Sequence, residues 1–345
     1  MVSREDILLR DLPKSSKVIE IGPSFSPLAP KRDGWNAVVV DHDTREGLFA
    51  KYDGDRNVPD ASRIEEVDVV WRGGSIADAL PSAELGTFDA FIASHVIEHT
   101  TDIVSFLDAA QRLLKREGVV ILAVPDKRKC FDFNRPVSTT AGAIAAFREK
   151  RTLHTPESYF DFMAFHTCKS GPPGWAGDDA TPQTLQIPFD HLLPAWDMMA
   201  TATSYIDNHQ WVFTPASFEL MVLELAELGF LRLRVEAIQQ AVATEFYAWL
   251  RPGREAHSPE ELQLKRRRLM DGVVIDLAEQ SRQIADSPLN QAVARIAALE
   301  AAEQPVARKT AQLAELSALK KAIPRWARKK IVAWYARRAA RSPGR

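Results

Sequence analysis

Short runs of apolar residues, each cut off by a turn-forming or polar residue, recur through the first 125 positions of the chain. Residues 17–21 (KVIEI) read as a buried strand that Gly22, Pro23, Ser24 and Pro27 break at once. A second run, 37–40, ends at Asp41; a third, 67–71, ends in Gly73 and Gly74; a fourth, 88–93, ends in Ser94 and His95; a fifth, 119–124, runs into Pro125 and Asp126. Between the fourth and fifth, apolar residues at 103, 106, 107, 110, 113 and 114 recur at helical spacing and predict a helix closed by Glu117 and Gly118. Short apolar strands separated by helical connections call for a parallel sheet covered on both faces.

The rhythm changes at residue 126. Residues 126–208 hold two predicted helices, 140–150 and 158–169, a turn-rich stretch at 171–182 and a mixed aromatic and acidic segment, a pattern that suits an insertion covering the strand ends. Thr214 and Pro215 then open a predicted helix over 217–228, stopped by Gly229. Two strands at 231–238 and 244–250 lie close enough to form an antiparallel pair at the sheet edge. Beyond Pro252 the composition turns helical through 259–321, without a heptad sustained long enough to fix an oligomeric state. The expected organisation is therefore a domain over 1–252 with its insertion at 126–208, a helical extension over 253–319, and a tail over 320–345.

Charge alters this picture at one end only. The chain carries a net charge of -2, yet the tail is rich in Lys and Arg and free of Asp and Glu, so the body is acidic and the tail basic. Two cysteines, Cys130 and Cys168, supply neither a disulfide scaffold nor a cysteine-rich metal cluster, and no His or Cys spacing resembles a zinc site, so no metal is expected. With no long apolar run and no leader-like start, the expected compartment is the cytoplasm.

Ligands of open α/β sheets bind beyond the carboxyl ends of the strands, which is where Gly22, Asp41, Gly73, Ser94, His95 and Asp126 all fall. The Gly22 turn permits close backbone approach to a nucleoside cofactor, and Asp41, about twenty residues on, is placed to accept hydrogen bonds from ribose hydroxyls. NAD and S-adenosylmethionine both present a ribose; the missing further glycines count against a dinucleotide pyrophosphate.

The segments VIEIGP at 18–23, Asp41, FDAFIASHVIEH at 88–99 and LLKREGVVILAVP at 113–125 resemble the class I S-adenosylmethionine-dependent methyltransferases, most nearly the small-molecule and glycan-associated subgroup. The likeness resumes at 209–252. It implies a Rossmann-like, seven-stranded, mostly parallel sheet with an insertion after the fifth strand and a helical C-terminal extension. It further implies Glu20 and Gly22 beside the methionine part of the cofactor, Asp41 at the ribose, Ser75 and Ile76 at the adenine, and Ser94 with His95 on the sulfonium side. The chain departs from the pattern where Pro23 and Ser24 replace a Gly-x-Gly continuation and where the third strand ends in Gly73, Gly74, Ser75 and Ile76 instead of an acidic residue.

S-adenosylmethionine carries an already activated methyl, so the protein must chiefly align the acceptor and exclude water, with a base within reach for a hydroxyl. His95, His99 and His209 are candidates by placement for the acceptor side, although His99 reads rather as a helix-start residue that structures its loop with Glu98, and Asp126 either contacts the acceptor or caps or braces Lys127 and Arg128. Lys127, Arg128, Lys129 and Arg135 are either a solvated basic loop or a site for an anionic acceptor. The expected activity is methyl transfer to a hydroxyl of a saccharide or glycan-linked acceptor; an NAD-dependent oxidoreductase and a non-catalytic adaptor are the competing readings. Ile323, Ala327, Ile331, Trp334 and Tyr335 recur at helical spacing in the basic tail. That face suits either packing on protein, including a homo-oligomer through the C-terminal helices, or a peripheral contact with an anionic inner membrane surface. Nucleic acid is disfavoured by the acidic body.

Overall fold

The computed structural model describes residues 3–55, 58, 60–169, 173–175, 179, 181–241, 243–284, 290–292, 294–296, 315, 317–318, 321 and 323–339. Helix α1 (Arg4–Leu8) precedes the parallel strands β1 (Lys17–Ile21), β2 (Asn36–Asp41), β3 (Val69–Val70), β4 (Phe88–Ser94) and β5 (Leu114–Pro125), with helices α2 (Arg45–Tyr52) and α3 (Ile103–Leu113) between them. Helices α4 (Thr140–Glu149), α5 (Pro156–Ala164) and α6 (Leu192–Ala200) and the strand pair β6 (Thr167–Cys168) and β7 (Thr184–Leu185) build the insertion. Helix α7 (Pro215–Glu227), strands β8 (Leu233–Gln240) and β9 (Glu245–Pro252) and helix α8 (Pro259–Gln280) follow.

The main sheet has seven strands in the order β3-β2-β1-β4-β5-β9-β8, with β9 antiparallel to both neighbours, so the expected Rossmann-like, mostly parallel sheet is present. Side chains alternate across its two faces, as the pleat requires. Ile19, Ile21, Phe91, Val120 and Leu122 pack with Phe106 and Leu107 of α3 and Phe218 of α7 on one face. Val18, Ala90, Ile92, Val119 and Ile121 pack with Leu8, Tyr247 and Trp249 on the other. Asp102 caps α3 by accepting from the Ser105 N–H, and Thr214 and Ser217 form a reciprocal capping box on α7, with Pro215 in its first turn.

Several boundaries differ from the sequence expectation. Strand β5 begins at Leu114 rather than 119, because Leu114 already pairs with Phe88 and the register then shifts before Ala90 pairs with Val119. Helix α5 stops at Ala164, where the expected helix ran to 169, since Thr167 and Cys168 pair with Leu185 and Thr184 instead. Helices α1 and α6 carried no clear periodic signal; each takes its place by packing on neighbours.

The chain divides into a unit of Met1–Asp179 with Gln183–Ala278 and a second of Ala180–Pro182 with Glu279–Arg345. In the second, Ile323, Ala327 and Ile331 of the tail bury themselves with Ile296, and Lys330 pairs with Glu279 at 2.6 Å. Part of the tail's apolar stripe is thus covered by protein; the side chain of Tyr335 lies outside the described residues. Among the described residues no helix is long and apolar enough to cross a membrane.

The turn after β1 rests on Gly22, whose φ of 61° is left-handed and whose added Cβ would sit 2.9 Å from Val96 Cγ2. Gly22→Ala is expected to cost about 1–2 kcal/mol for the backbone conformation alone, with a further loss from the clash. Denaturant unfolding of Gly22→Ala, Val96→Ala and the double variant separates the two costs, because Val96→Ala relieves only the clash. Equal stability of Gly22→Ala and the parent would contradict the geometry of this turn.

Candidate functional site

The order of the sheet reverses between β1 and β4, and the crevice of such a sheet opens at that point, beyond the carboxyl ends of the two strands. Ile21 pairs with Ala93, which brings Gly22 beside Ser94 and His95. Two residues other than glycine are held left-handed at this edge, Ser24 with φ 46° and His95 with φ 53°. Such strained positions gather where a fold shapes a site.

The first wall is a network of buried carboxylates that shape the loop after β1. Glu20 accepts from the Leu28 N–H at 2.6 Å and from the Ala29 N–H at 3.1 Å. Burial drives its carboxyl up to about 7, although those two N–H groups favour the charged form. Asp41 accepts from the Ser24 N–H at 3.0 Å and from the His42 N–H and Nδ1, both at 2.7 Å. Ser24 Oγ is buried beside this contact without a hydrogen-bond partner. Ile76 is buried at the start of a short 3-10 turn, and Ser75 Oγ meets Arg112 Nη1 at 3.4 Å, so the expected adenine-side pair sits at the end of the third strand rather than against Gly22.

The opposite wall is more densely charged. Arg4 of α1 donates to Ser94 Oγ at 2.7 Å and to both oxygens of Glu245, at 2.6 and 2.7 Å. His95 Nε2 lies 2.9 Å from Glu245 Oε2 and its Nδ1 3.5 Å from Glu98 Oε1, with 41% of the side chain exposed. Burial alone would lower the pKa of His95; Glu245 and Glu98 outweigh it and push the imidazole up to about 9. At neutral pH His95 is therefore a cation and a hydrogen-bond donor, which does not suit it to the role of base.

Glu98 is the deepest member of the group. It is 1% exposed, and neither of its oxygens accepts a hydrogen bond. His99 Nε2 and His209 Nε2 stand 3.7 and 3.9 Å from its Oε1. The other nitrogen of each ring is held by a carboxylate: His99 Nδ1 by Asp207 at 2.8 Å and His209 Nδ1 by Asp132 at 2.5 Å. Arg135 braces the second pair by donating to Asp132 Oδ1 and to the His209 carbonyl, each at 2.8 Å. His209 and Arg135 hold Asp132 at about 2 against its burial. Phe131 and Phe162 close the His209 side with rings at 4.6 and 6.2 Å.

His95 and His209 thus flank one carboxylate. Asp126 is elsewhere: it is 0% exposed, and both oxygens grip Arg128, at 2.8 and 2.6 Å. The basic loop turns inward as well, because each of its cations serves an internal acceptor. Lys127 donates to the Phe133 carbonyl, Lys129 to the Ala241 carbonyl, and Arg128 also to Asp276, so the loop is neither solvated nor open to an anionic acceptor. Arg4, Asp132, Asp207 and Glu245 were not legible as members of the site; His99, a candidate by placement, and Glu98 were read chiefly as structuring their loop. A cavity of about 450 Å³ lined by Arg10, Asp89, Lys115, Glu117, Trp249 and Arg251 lies at the amino ends of β1, β4 and β5, away from this chemistry.

Residues 22–122 match the family model described as a methyltransferase domain. No curated protein matches the chain in sequence. Among solved structures, the chain is similar to a SAM dependent methyltransferase from Aquifex aeolicus, at 12% identity over 72% of this chain and 89% of that one, TM-score 0.35. It is also similar to the CcbJ methyltransferase from Streptomyces caelestis, at 11% identity over 73% and 97%, TM-score 0.37. A chain from Rhodobacter sphaeroides described among Zn-dependent alcohol dehydrogenases gives 15% identity over 74% and 92%, TM-score 0.38. Likenesses at this level do not choose between activities. Residues 22–122 carry a methyltransferase domain.

Two outcomes follow for the buried carboxylates. Asp126→Ala should lower stability by about 3–5 kcal/mol in denaturant titrations, because it strips Arg128 of its bidentate partner, and should leave cofactor affinity within a factor of about two; a large loss of affinity in a stable variant would restore Asp126 to the site. Glu20, with its folded pKa near 7 above an unfolded value of 4.5, contributes stability that is full below pH 4.5 and lost as the pH rises towards 7. The stability of Glu20→Gln relative to the parent should therefore rise by up to about 3 kcal/mol across that window. A difference independent of pH would show that Glu20 titrates normally.

Proposed function

We propose that the chain transfers the methyl group of S-adenosylmethionine to a hydroxyl of a saccharide or glycan-linked acceptor. One observation carries the hydroxyl reading: beside the Gly22 and Ser94 crevice, Glu98 keeps two buried oxygens free of hydrogen bonds among three imidazoles. A group of that kind receives or polarises an O–H, whereas a neutral amine or a carbon acceptor has less need of it. The saccharide class rests on the resemblance of the FDAFIASHVIEH stretch to glycan-associated enzymes.

Features of the crevice fit the cofactor. Gly22 offers backbone approach where a Cβ has no room, and Ser24 Oγ is a buried hydroxyl awaiting a partner. Asp41 already accepts three hydrogen bonds, and a carboxylate has room for about four. Ribose hydroxyls would join or replace the Ser24 contact. Glu20 holds residues 28 and 29 in place and so supports the methionine side through the loop; Ser75 and Ile76 border the adenine. The bound cofactor supplies a methyl on positively charged sulfur. Arg4 fixes Ser94, Glu245 fixes His95, and the aromatic pair Phe131 and Phe162 keeps water from His209.

Calorimetry with S-adenosylmethionine tests the cofactor side: Asp41→Ala should weaken binding by roughly 10- to 100-fold, and unchanged binding would remove Asp41 from the ribose. Incubation with a panel of hydroxyl-bearing saccharides and their amino analogues, read by mass spectrometry, tests the acceptor. Methyl on oxygen is the expected product. Methylation confined to nitrogen or carbon would overturn the hydroxyl reading, and turnover only on non-carbohydrate alcohols would overturn the saccharide class.

A further inference from the structure

Three electron-pair donors from two distant parts of the chain converge beside the crevice. One donor atom from each of Glu98, His99 and His209 lies within 4.8 Å of the others, with Glu98 Oε1 standing 3.7 Å from His99 Nε2 and 3.9 Å from His209 Nε2. Glu98 and His99 belong to the short 3-10 turn Ile97–His99 beyond β4, and His209 comes from the exit of the insertion. Nδ1 of each imidazole meets a carboxylate, Asp207 for His99 and Asp132 for His209, which turns Nε2 of each ring towards Glu98. Glu98, 1% exposed and without a hydrogen bond to either oxygen, faces both of these ring nitrogens, and a buried polar group of that kind calls for a partner.

A proton is a poor fit. The separations of 3.7 and 3.9 Å exceed those of N–H···O hydrogen bonds. They come within a few tenths of an ångström of the roughly 3.4 Å expected between two ligand atoms bound at about 2.1 Å to a tetrahedral ion. Imidazole held by a carboxylate through its other nitrogen is also how proteins fix the tautomer and raise the basicity of a metal-binding histidine.

We propose that Glu98, His99 and His209 form a binding site for a divalent first-row transition metal ion of the zinc type. Two imidazoles and one carboxylate favour such an ion over magnesium or calcium, which prefer all-oxygen surroundings. Asp207 and Asp132 are positioning residues that aim the two rings. Three protein donors leave at least one position open, and the partly exposed His99 side is where an exogenous oxygen would enter. Resting on the methyl-transfer reading, the ion's task is to bind the acceptor oxygen and lower its pKa.

The test uses the full-length, tag-free protein after chelator treatment. Calorimetric titration with Zn²⁺ should show one site per chain, and Co²⁺ should give a visible spectrum with nitrogen donors. His99→Ala and Glu98→Gln should abolish the site, and Asp207→Asn, at a more exposed carboxylate, should weaken it by roughly 10- to 100-fold. Circular dichroism establishes that each variant is folded, and S-adenosylmethionine binding is titrated on the same samples. No stoichiometric Zn²⁺ uptake by the folded parent overturns the proposal, as does uptake that His99→Ala and Glu98→Gln leave unchanged. Cofactor binding without metal binding overturns the metal site alone; metal binding without cofactor binding overturns the methyl-transfer reading and leaves the site standing.

Discussion

The parallel pairing of β1 with β4 is the constraint on which the other features depend. It sets Ile21 beside Ala93, so that two strand ends, each followed by a left-handed turn, open into the same crevice. Gly22 is confined because Val96, just past His95, presses on it. The loop after β1 cannot move without disturbing the turn that carries His95, Glu98 and His99. The two strand ends are thus mechanically joined through a single glycine.

What the pairing brings together, buried charge then organises. Each imidazole around Glu98 is oriented by its own carboxylate, and two of those carboxylates are fixed in turn by arginines from outside β4: Glu245 by Arg4 and Asp132 by Arg135. Arg4 comes from the first helix, Glu245 from the last strand to join the sheet, and Asp132 and Asp207 from the two ends of the insertion. The site closes only when the sheet edge, the insertion and the amino-terminal helix are all in place. Removing one partner of such a network leaves a buried charge uncompensated, so its members are expected to respond to substitution as a group rather than singly.

Much of the fold was legible because it follows from local periodicity. The strands near 17, 37, 88 and 119 announce themselves by apolar runs that end in breakers, and their common end follows from the βαβ pattern. That logic puts Gly22, Ser94 and His95 at the strand ends, where the structure has them, whereas His209 was marked by its place at the end of the insertion. Asp132, Asp207, Glu245 and Arg4 were not, since an acidic or basic residue in a loop carries no mark of the distant partner it will meet. The Lys127–Lys129 loop misled for the same reason: its composition suits an exposed entrance, while Phe133, Ala241 and Asp276 supply internal acceptors that only the tertiary structure reveals. Short elements also escaped, because α1, α6 and the β6 and β7 pair are stabilised by packing rather than by propensity.

Histidine shows how far environment outranks residue type here. His95, between Glu98 and Glu245, is pushed up to about 9 despite burial that opposes it, whereas burial pulls His154, which faces the Gln210 amide and the Tyr205 ring, down to about 4. One is a cation at neutral pH and the other is not, although both line the same region between sheet and insertion. A chain reading that treats every histidine near neutrality as a candidate base cannot separate them, because the carboxylates that decide the matter lie far away in sequence. His99 and His209 form a third case: each gives one nitrogen to a carboxylate and turns the other towards Glu98, where two ring nitrogens and a buried oxygen meet. The chemistry of this edge follows from which nitrogen each carboxylate has claimed.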